Sequence, residues 1–362
     1  MPANLDALAE APRLLMEASV RPIQGQRFQP TGFPDLGPAT YTLPDGTEML
    51  LVESAQSMAN RLEAVCWDDP RDDVVAELRG MPYISIDAGD YGKTSSILEF
   101  HRLNSPYIWQ GAEVDDTAVF RQQFQRLLGV KQRRRKKGQQ ADATDGDKSA
   151  GAVDPRKLAA AALRYDPNSV LHGVFLEKVA GGWRLPRLLS AFVEARNVRA
   201  AESGGVKFDR VFPGKVSSLG IGSDVGYTNV PFPRTEFTAE GITAYFNLDL
   251  ATMRGYGLGP DAERMLTTLA LWKISRFLQV GLRLRTACDF DCDGLTVTRP
   301  AGFVIPSLDE LSEAIRRDIA ACAKARLFVD PPVTEITWKP PPKTASKKVS
   351  GEEEPAADED AE

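Results

Sequence analysis

Cysteine and histidine are both scarce in this chain, and their scarcity excludes several kinds of chemistry. Four cysteines in 362 residues are too few and too scattered for a disulfide framework. The two histidines, His101 and His172, lie far apart in the sequence. A structural zinc site needs four nitrogen or sulfur ligands, and Ser-His-Asp or Cys-His catalysis needs a well-placed imidazole. We therefore expect reduced thiols, no bound metal or other cofactor, and no catalytic residues.

Long apolar runs are also missing. No stretch approaches the roughly 20 apolar residues that are needed to cross a bilayer. The first 21 residues contain Asp6, Glu10 and Glu17, so they lack the basic-then-apolar order of a secretory signal. These absences predict a cytoplasmic protein with no membrane partner.

Two partial motifs fail at a required position. Gly92, Lys93 and Thr94 resemble the end of a phosphate-binding P-loop, but the first glycine of that motif would fall on Asp87. Residues 289–294, DFDCDG, open like a calcium loop, whose closing glutamate would fall on a proline at position 300. We interpret residues 289–294 as an acidic turn between two strands.

Charge is unevenly distributed. The net charge of −6 counts against a simple nucleic-acid binder, which is usually basic. The last 23 residues hold seven acids and three lysines, a net of −4, which leaves −2 for the rest. Segment 131–154, which begins KQRRRKK, and the Pro-rich, then acidic segment 339–362 lack apolar periodicity, so we expect both to be disordered. Residues 1–338, apart from that basic insertion, should form one folded domain.

Apolar periodicity predicts a mixed α+β fold. A 3.6-residue period indicates helices at 51–66 and 261–279, and a third from Ser307, where SLDE fits a capping box. A two-residue period indicates five strands, at 83–87, 170–177, 242–250, 282–286 and 295–299. The order of elements between 242 and 323 suggests a split βαβ, ferredoxin-like core. The Gly- and Pro-rich residues 204–233 read as long loops, and His172 as a packed core residue.

The predicted helix at 51–66 has an unusual outer surface. Small hydroxyls, amides and one arginine flank its apolar stripe, namely Ser54, Gln56, Ser57, Asn60 and Arg61. Such groups contact phosphates and sugars in nucleic-acid complexes, although an ordinary solvated helix face is the alternative.

Two further clusters have the same character. Residues 101–107, HRLNSPY, offer an imidazole in His101 and a guanidinium in Arg102, or else form a turn whose tyrosine packs inward. Residues 204–210, GGVKFDR, place Lys207 and Arg210 on a candidate hairpin, which lies along a nucleic acid or is a plain surface hairpin.

Three segments resemble one known family. Residues 51–63, LVESAQSMANRLE, resemble the signature helix of the Cas-seven backbone subunit of type I-G (formerly I-U) CRISPR effector complexes. Residues 101–108, HRLNSPYI, and 185–198, LPRLLSAFVEARNV, are similar to later blocks of that family. The resemblance spans about residues 15–330 and excludes the basic insertion and the acidic tail.

The resemblance implies a RAMP protein with a modified RRM-like, ferredoxin-like fold and large loop insertions. Such a protein would polymerise along CRISPR RNA with other effector subunits and hold the guide ready to pair with invading DNA. It implies RNA contacts at nine positions: Ser54, Gln56, Ser57, Asn60, Arg61, His101, Arg102, Lys207 and Arg210. An alternative is a metal-dependent ribonuclease like the backbone subunits of type III complexes, with Asp209 or Asp224 as the catalytic loop residue.

Overall fold

The computed structural model describes residues 4–33, 36–110, 116–129, 154–177, 182–207 and 230–340. The strands used below are β1 Arg13–Pro22, β2 Thr40–Thr42, β3 Glu48–Glu53, β4 Tyr83–Asp87, β5 Lys93–Ser95, β6 Val174–Leu176, β7 Trp183–Leu185, β8 Leu189–Arg196, β9 Arg199–Lys207, β10 Val230–Thr238, β11 Gly241–Asp249, β12 Arg283–Arg285, β13 Cys288–Arg299 and β14 Val333–Thr337. The helices are α1 Ala55–Ala64, α2 Pro106–Trp109, α3 Asp116–Leu128, α4 Pro155–Tyr165, α5 Pro167–His172, α6 Leu250–Gly255, α7 Pro260–Val280 and α8 Leu308–Lys324.

A sheet of seven described strands forms the centre of this mixed α+β fold, in the order β12-β13-β1-β11-β8-β3-β2. Met16 of β1 lies opposite Phe246 of β11 on one side and Val297 of β13 on the other, in antiparallel register. The four central strands occur along the chain in the order β1, β8, β11 and β13. In the sheet they lie side by side as fourth, first, third and second. Helix α1 lies between the first and second of them, and α7 between the third and fourth.

Helices cover the sheet where their apolar stripes require burial. Helix α1 packs against β8 and α7, and α7 packs against α8. The predictions of α7 and α8 are confirmed, and the capping box is present. Ser307 Oγ accepts from the Glu310 amide at 3.3 Å, and Glu310 Oε2 accepts from the Ser307 amide at 2.9 Å. Nowhere in the described ranges is a helix long and apolar enough to span a bilayer.

The predicted strands at 83–87 and 242–250 are confirmed as β4 and β11. The predicted strand at 282–286 coincides with β12, and residues 295–299 are the second half of β13.

The predicted start of the first helix is wrong. Residues Glu48–Glu53 form β3, and the helix begins only after Ser54. The apolar residues at this boundary also fit the two-residue period of a strand, because Leu50 and Val52, two positions apart in β3, are both buried. Ser54 then caps α1, because its Oγ accepts from the Ser57 amide at 3.2 Å.

The predicted strand at 170–177 is also wrong in its first half. Residues Pro167–His172 form helix α5, and only Val174–Leu176 form a strand. Asp166 starts the helix by accepting from the Asn168 amide at 3.0 Å, and proline occupies the first helical position. His172 is buried as predicted, but on a helix.

Two loop predictions are corrected as well. Residues 289–294 lie within β13, where Arg21 of the neighbouring β1 pairs with Asp291 at 2.8 Å and with Asp293. This cross-strand cation offsets the repulsion between the two carboxylates, so an acidic stretch can continue as a strand. In the stretch 204–233, β9 and β10 pair as an antiparallel hairpin, with Gly204 opposite Pro233. Residues 208–229, nearly all of segment 131–154 and all but the first two residues of 339–362 lie outside the described residues.

Candidate nucleic-acid interface

Helix α1 distributes the predicted contact residues between two clefts. Ser57, Asn60 and Arg61 line a cleft of about 310 Å³ that is closed on its other side by residues 97–100. Gln56, four residues before Asn60, lines a larger cleft of about 830 Å³. Ser54 serves as the helix cap, so its hydroxyl is already engaged with the backbone. The predicted contact residues on the two flanks of the apolar stripe therefore divide between two clefts, with Asn60 beside Ser57 and Arg61 in one and Gln56 in the other.

Asn60 has an unsatisfied acceptor beside the smaller cleft. Its Oδ1 is buried and receives no hydrogen bond from any described residue. A buried amide oxygen without a donor costs free energy, so Asn60 places a locally unfavourable polar group in the wall of the cleft.

Arg61 also borders the smaller cleft, but part of its guanidinium is engaged inside the protein. Its Nη2 donates to the Leu284 carbonyl, and its Nε lies 3.5 Å from Glu53 Oε1. Glu53 is buried and shared with Arg285, which donates to its other oxygen. The Arg61 side chain is still 25% exposed and lines the smaller cleft.

Arg102 is placed differently from the sequence-based prediction. It is only 4% exposed, and its guanidinium makes a bidentate pair with the buried Glu63, with Nε–Oε1 and Nη2–Oε2 distances of 2.7 and 2.6 Å. Its Nη1 faces the Gly173 carbonyl at 3.5 Å. Burial raises the pKa of Glu63, and the guanidinium opposes this effect. Arg102 lines the larger cleft, but each of its three guanidinium nitrogens has a contact inside the protein, so in this arrangement it acts as a structural cation, and its phosphate contact stays a prediction.

The larger cleft contains groups that the sequence reasoning did not single out. His101 is exposed and lines this cleft beside Phe100, and its contact with RNA stays a prediction. Three more lining residues come from the segment around β6 and β7, namely Phe175, Arg184 and Arg187. Arg187 Nη2 donates to Gln56 Oε1, which ties this segment to α1. Of these three residues, Arg187 lies within the block at 185–198 that resembles the family.

Lys207 and Arg210 cannot be added to either cleft. The backbone of Lys207 ends β9 opposite Val230. The Lys207 side chain and the whole of Arg210 lie outside the described residues, as do Asp209 and Asp224 of the ribonuclease alternative. In the parts of the chain that are described, no group of three or more His, Cys, Asp or Glu side chains is arranged to hold a metal ion.

A buried polar cluster supports the floor of the larger cleft. His172 borders the cleft, and its Nε2 lies 3.0 Å from Nζ of the fully buried Lys273, which also donates to Asn168 Oδ1. Burial and then the positive charges of Lys273 and Arg102 hold the pKa of His172 well below its ordinary value. The imidazole is therefore neutral, and its Nε2 lies within hydrogen-bond distance of the Lys273 side chain.

Asp166, in the same cluster, predicts a pH dependence. Burial raises its pKa from 3.8 to about 7. Between pH 3.8 and about 7, this carboxyl loses its proton in the unfolded chain but keeps it in the folded protein. The free energy of unfolding of the wild type should therefore fall as the pH rises through this window, by about 4 kcal/mol at most, and level off above it. Asp166→Asn should flatten this slope in urea unfolding followed across the window. Asp90→Asn, at an exposed acid, is the control, and parallel slopes for wild type and Asp166→Asn would contradict the assignment.

Comparison with known proteins gives one family match, no curated relative and two similar solved structures. A family model described as CRISPR-associated protein GSU0053 matches residues 14–200, which is more than half of the chain. No curated protein matches the chain in sequence. A chain from a structure titled "CRISPR RNA-guided surveillance complex, pre-nicking" is similar at 15% identity and a TM-score of 0.38, covering 79% of this chain and 75% of that one.

A second solved structure, titled "Crystal structure of Thermofilum pendens Csc2", is similar at 9% identity and a TM-score of 0.30, over 89% of this chain and 82% of that one. Both TM-scores are low, so the assignment rests on the family model alone. That match confirms the prediction of a CRISPR-associated protein: the chain belongs to the family of CRISPR-associated protein GSU0053.

Proposed function

We propose that this chain binds CRISPR RNA as a non-catalytic Cas-seven backbone subunit of a surveillance complex of type I-G. Membership of a CRISPR-associated family supports the setting. One structural observation carries the RNA-binding role: the polar flank of α1 lines a cleft with Ser57, Asn60 and a partly exposed Arg61. Hydroxyl, amide and guanidinium groups together suit a phosphate–sugar backbone.

The proposed contacts do not read sequence. In guide-dependent recognition, base pairing supplies the specificity, and the protein needs only to hold the guide by its backbone. A local groove of this kind is compatible with a net charge of −6, because the acids of the last 23 residues account for most of it. The chain would therefore accept any spacer sequence.

The rest of the proposal concerns architecture and partners. The spatial order of the four central strands, which is fourth, first, third and second along the chain, supports a modified RRM-like core with insertions, in which α1 follows the first strand and α7 the third. Copies of the chain would polymerise along the guide with other CRISPR effector subunits in the cytoplasm and present it to invading DNA. In this proposal the complex does not cleave RNA complementary to the guide, whereas the ribonuclease alternative predicts metal-dependent cleavage.

The direct test is to purify the full chain with its neighbouring gene products and to sequence the RNA that co-purifies. Guide-length RNA from many spacers is the expected result. Incubating the assembled complex with complementary RNA and Mg²⁺ then tests for catalysis, and cleavage would overturn the non-catalytic part of the proposal.

Affinity should depend steeply on salt and little on spacer sequence. For single strands, the logarithm of the binding constant falls with that of the salt concentration, with a slope of about −0.7 for each phosphate contacted. Filter binding with one natural spacer and its scrambled version, over a range of salt, gives both quantities. A strong preference for the natural spacer would contradict backbone recognition.

A further inference from the structure

Phe100 stands on the ridge between the two clefts. It lines both of them and is 70% exposed, which is unusual for a phenylalanine next to a buried core. The exposed His101 follows it in the chain. A strand of RNA passing from the α1 cleft to the larger cleft would therefore cross an aromatic ring that no described residue covers.

The larger cleft offers a second flat surface. The Cζ atom of Arg184 lies 5.3 Å from the centroid of the Phe175 ring, so the guanidinium lies over that ring. A methyl group at position 182 would lie only 3.4 Å from Cζ of Phe175, so Gly182 lies beside the ring edge. Phe175 is still 46% exposed. The stacked pair presents a cationic plane of the kind on which nucleobases stack.

We propose that Phe100 and the Arg184–Phe175 pair stack nucleobases of single-stranded RNA, an inference that rests on the proposed function. Every base has a π-face, so stacking tolerates any sequence, as guide binding requires. Charge favours RNA over an apolar protein segment, because Arg184 and Arg187 at the larger cleft outnumber its one exposed acid, Glu177. Arg102 adds no net charge there, since Glu63 pairs with it.

Removing the bases from the ligand provides the test. The full chain is titrated with a single-stranded oligouridine and with an abasic strand of the same length. Phe100→Ala should weaken binding of oligouridine by about 5-fold to 150-fold, the range measured for single base–aromatic stacks. It should leave the affinity for the abasic strand unchanged. Tyr91→Ala, at a ring that is 79% exposed but lines neither cleft, is the matched control and should change neither affinity.

The outcomes are separable. If the wild-type chain binds neither strand, the proposed function fails and the stacking inference falls with it. If wild type binds both strands and Phe100→Ala matches it, the inference alone is overturned. Equal weakening for both strands would show that Phe100 acts on the fold or the backbone, which also overturns stacking. Light scattering without RNA tests whether Phe100 instead contacts a second protein chain. If Phe100→Ala forms a smaller assembly than wild type and its affinity changes equally for the two strands, Phe100 is a protein contact and the stacking inference is overturned.

Discussion

Arg102→Ala is expected to lower the free energy of unfolding by about 3–5 kcal/mol, the usual cost of removing one partner of a buried ion pair. Both partners are almost fully buried, and the variant would leave the Glu63 carboxylate without its cation in a low-dielectric interior. The Gly173 carbonyl would lose a contact as well. Urea unfolding followed by circular dichroism measures the change.

The exposed pair between Arg316 and Glu77, 3.4 Å apart, is a matched control. Arg316→Ala should change stability by about 1 kcal/mol or less, because solvent screens such pairs. The double variant Glu63→Gln, Arg102→Met should be more stable than Arg102→Ala, since it buries no unpaired charge. Wild-type stability in Arg102→Ala combined with weaker RNA binding would restore the surface role that the sequence suggested.

The elements that could be predicted from sequence are those whose signal is local and long. Helices α7 and α8 have apolar stripes over many turns, and α8 adds its capping box. Strand β11 alternates over its whole length. The predicted helix start before Ser54 was wrong because a short apolar run fits the strand period as well as the helix period. Helix α5 was predicted as a strand, although Asp166 and Pro167 form a helix start signal.

The candidate site was only partly predictable, because a sequence does not show which way a polar side chain faces. Arg102 and His101 are adjacent, yet one is buried and the other exposed. What buries Arg102 is a carboxylate 39 positions away, and that partner is chosen by the tertiary fold. The exposure of Phe100 could not be predicted either, since a lone phenylalanine in a sequence is normally a core residue. The side chains of Phe175, Arg184 and Arg187 come to line the same cleft as Gln56 of α1 only when the chain folds.

Arg61→Ala is expected to weaken RNA binding by about tenfold or more for each copy of the chain. Charge-assisted hydrogen bonds contribute about 1.5–3 kcal/mol, and the loss should be larger in an assembly whose copies share one guide. Stability should fall only modestly, because Glu53 keeps Arg285 as a partner. Binding of CRISPR RNA and thermal unfolding are measured on the same preparation.

Arg285→Ala separates the two roles that the geometry gives Arg61. Arg285 shares Glu53 and also donates to the Gln29 carbonyl at 3.1 Å, but it lines neither cleft. Its removal should therefore lower the melting temperature more than Arg61→Ala does, and leave RNA binding by the folded protein intact. If instead Arg61→Ala destabilises the protein as much as Arg285→Ala and its folded fraction binds RNA normally, then Arg61 serves only to neutralise Glu53. In that case the RNA path along α1 would have to depend on Ser57 and Asn60.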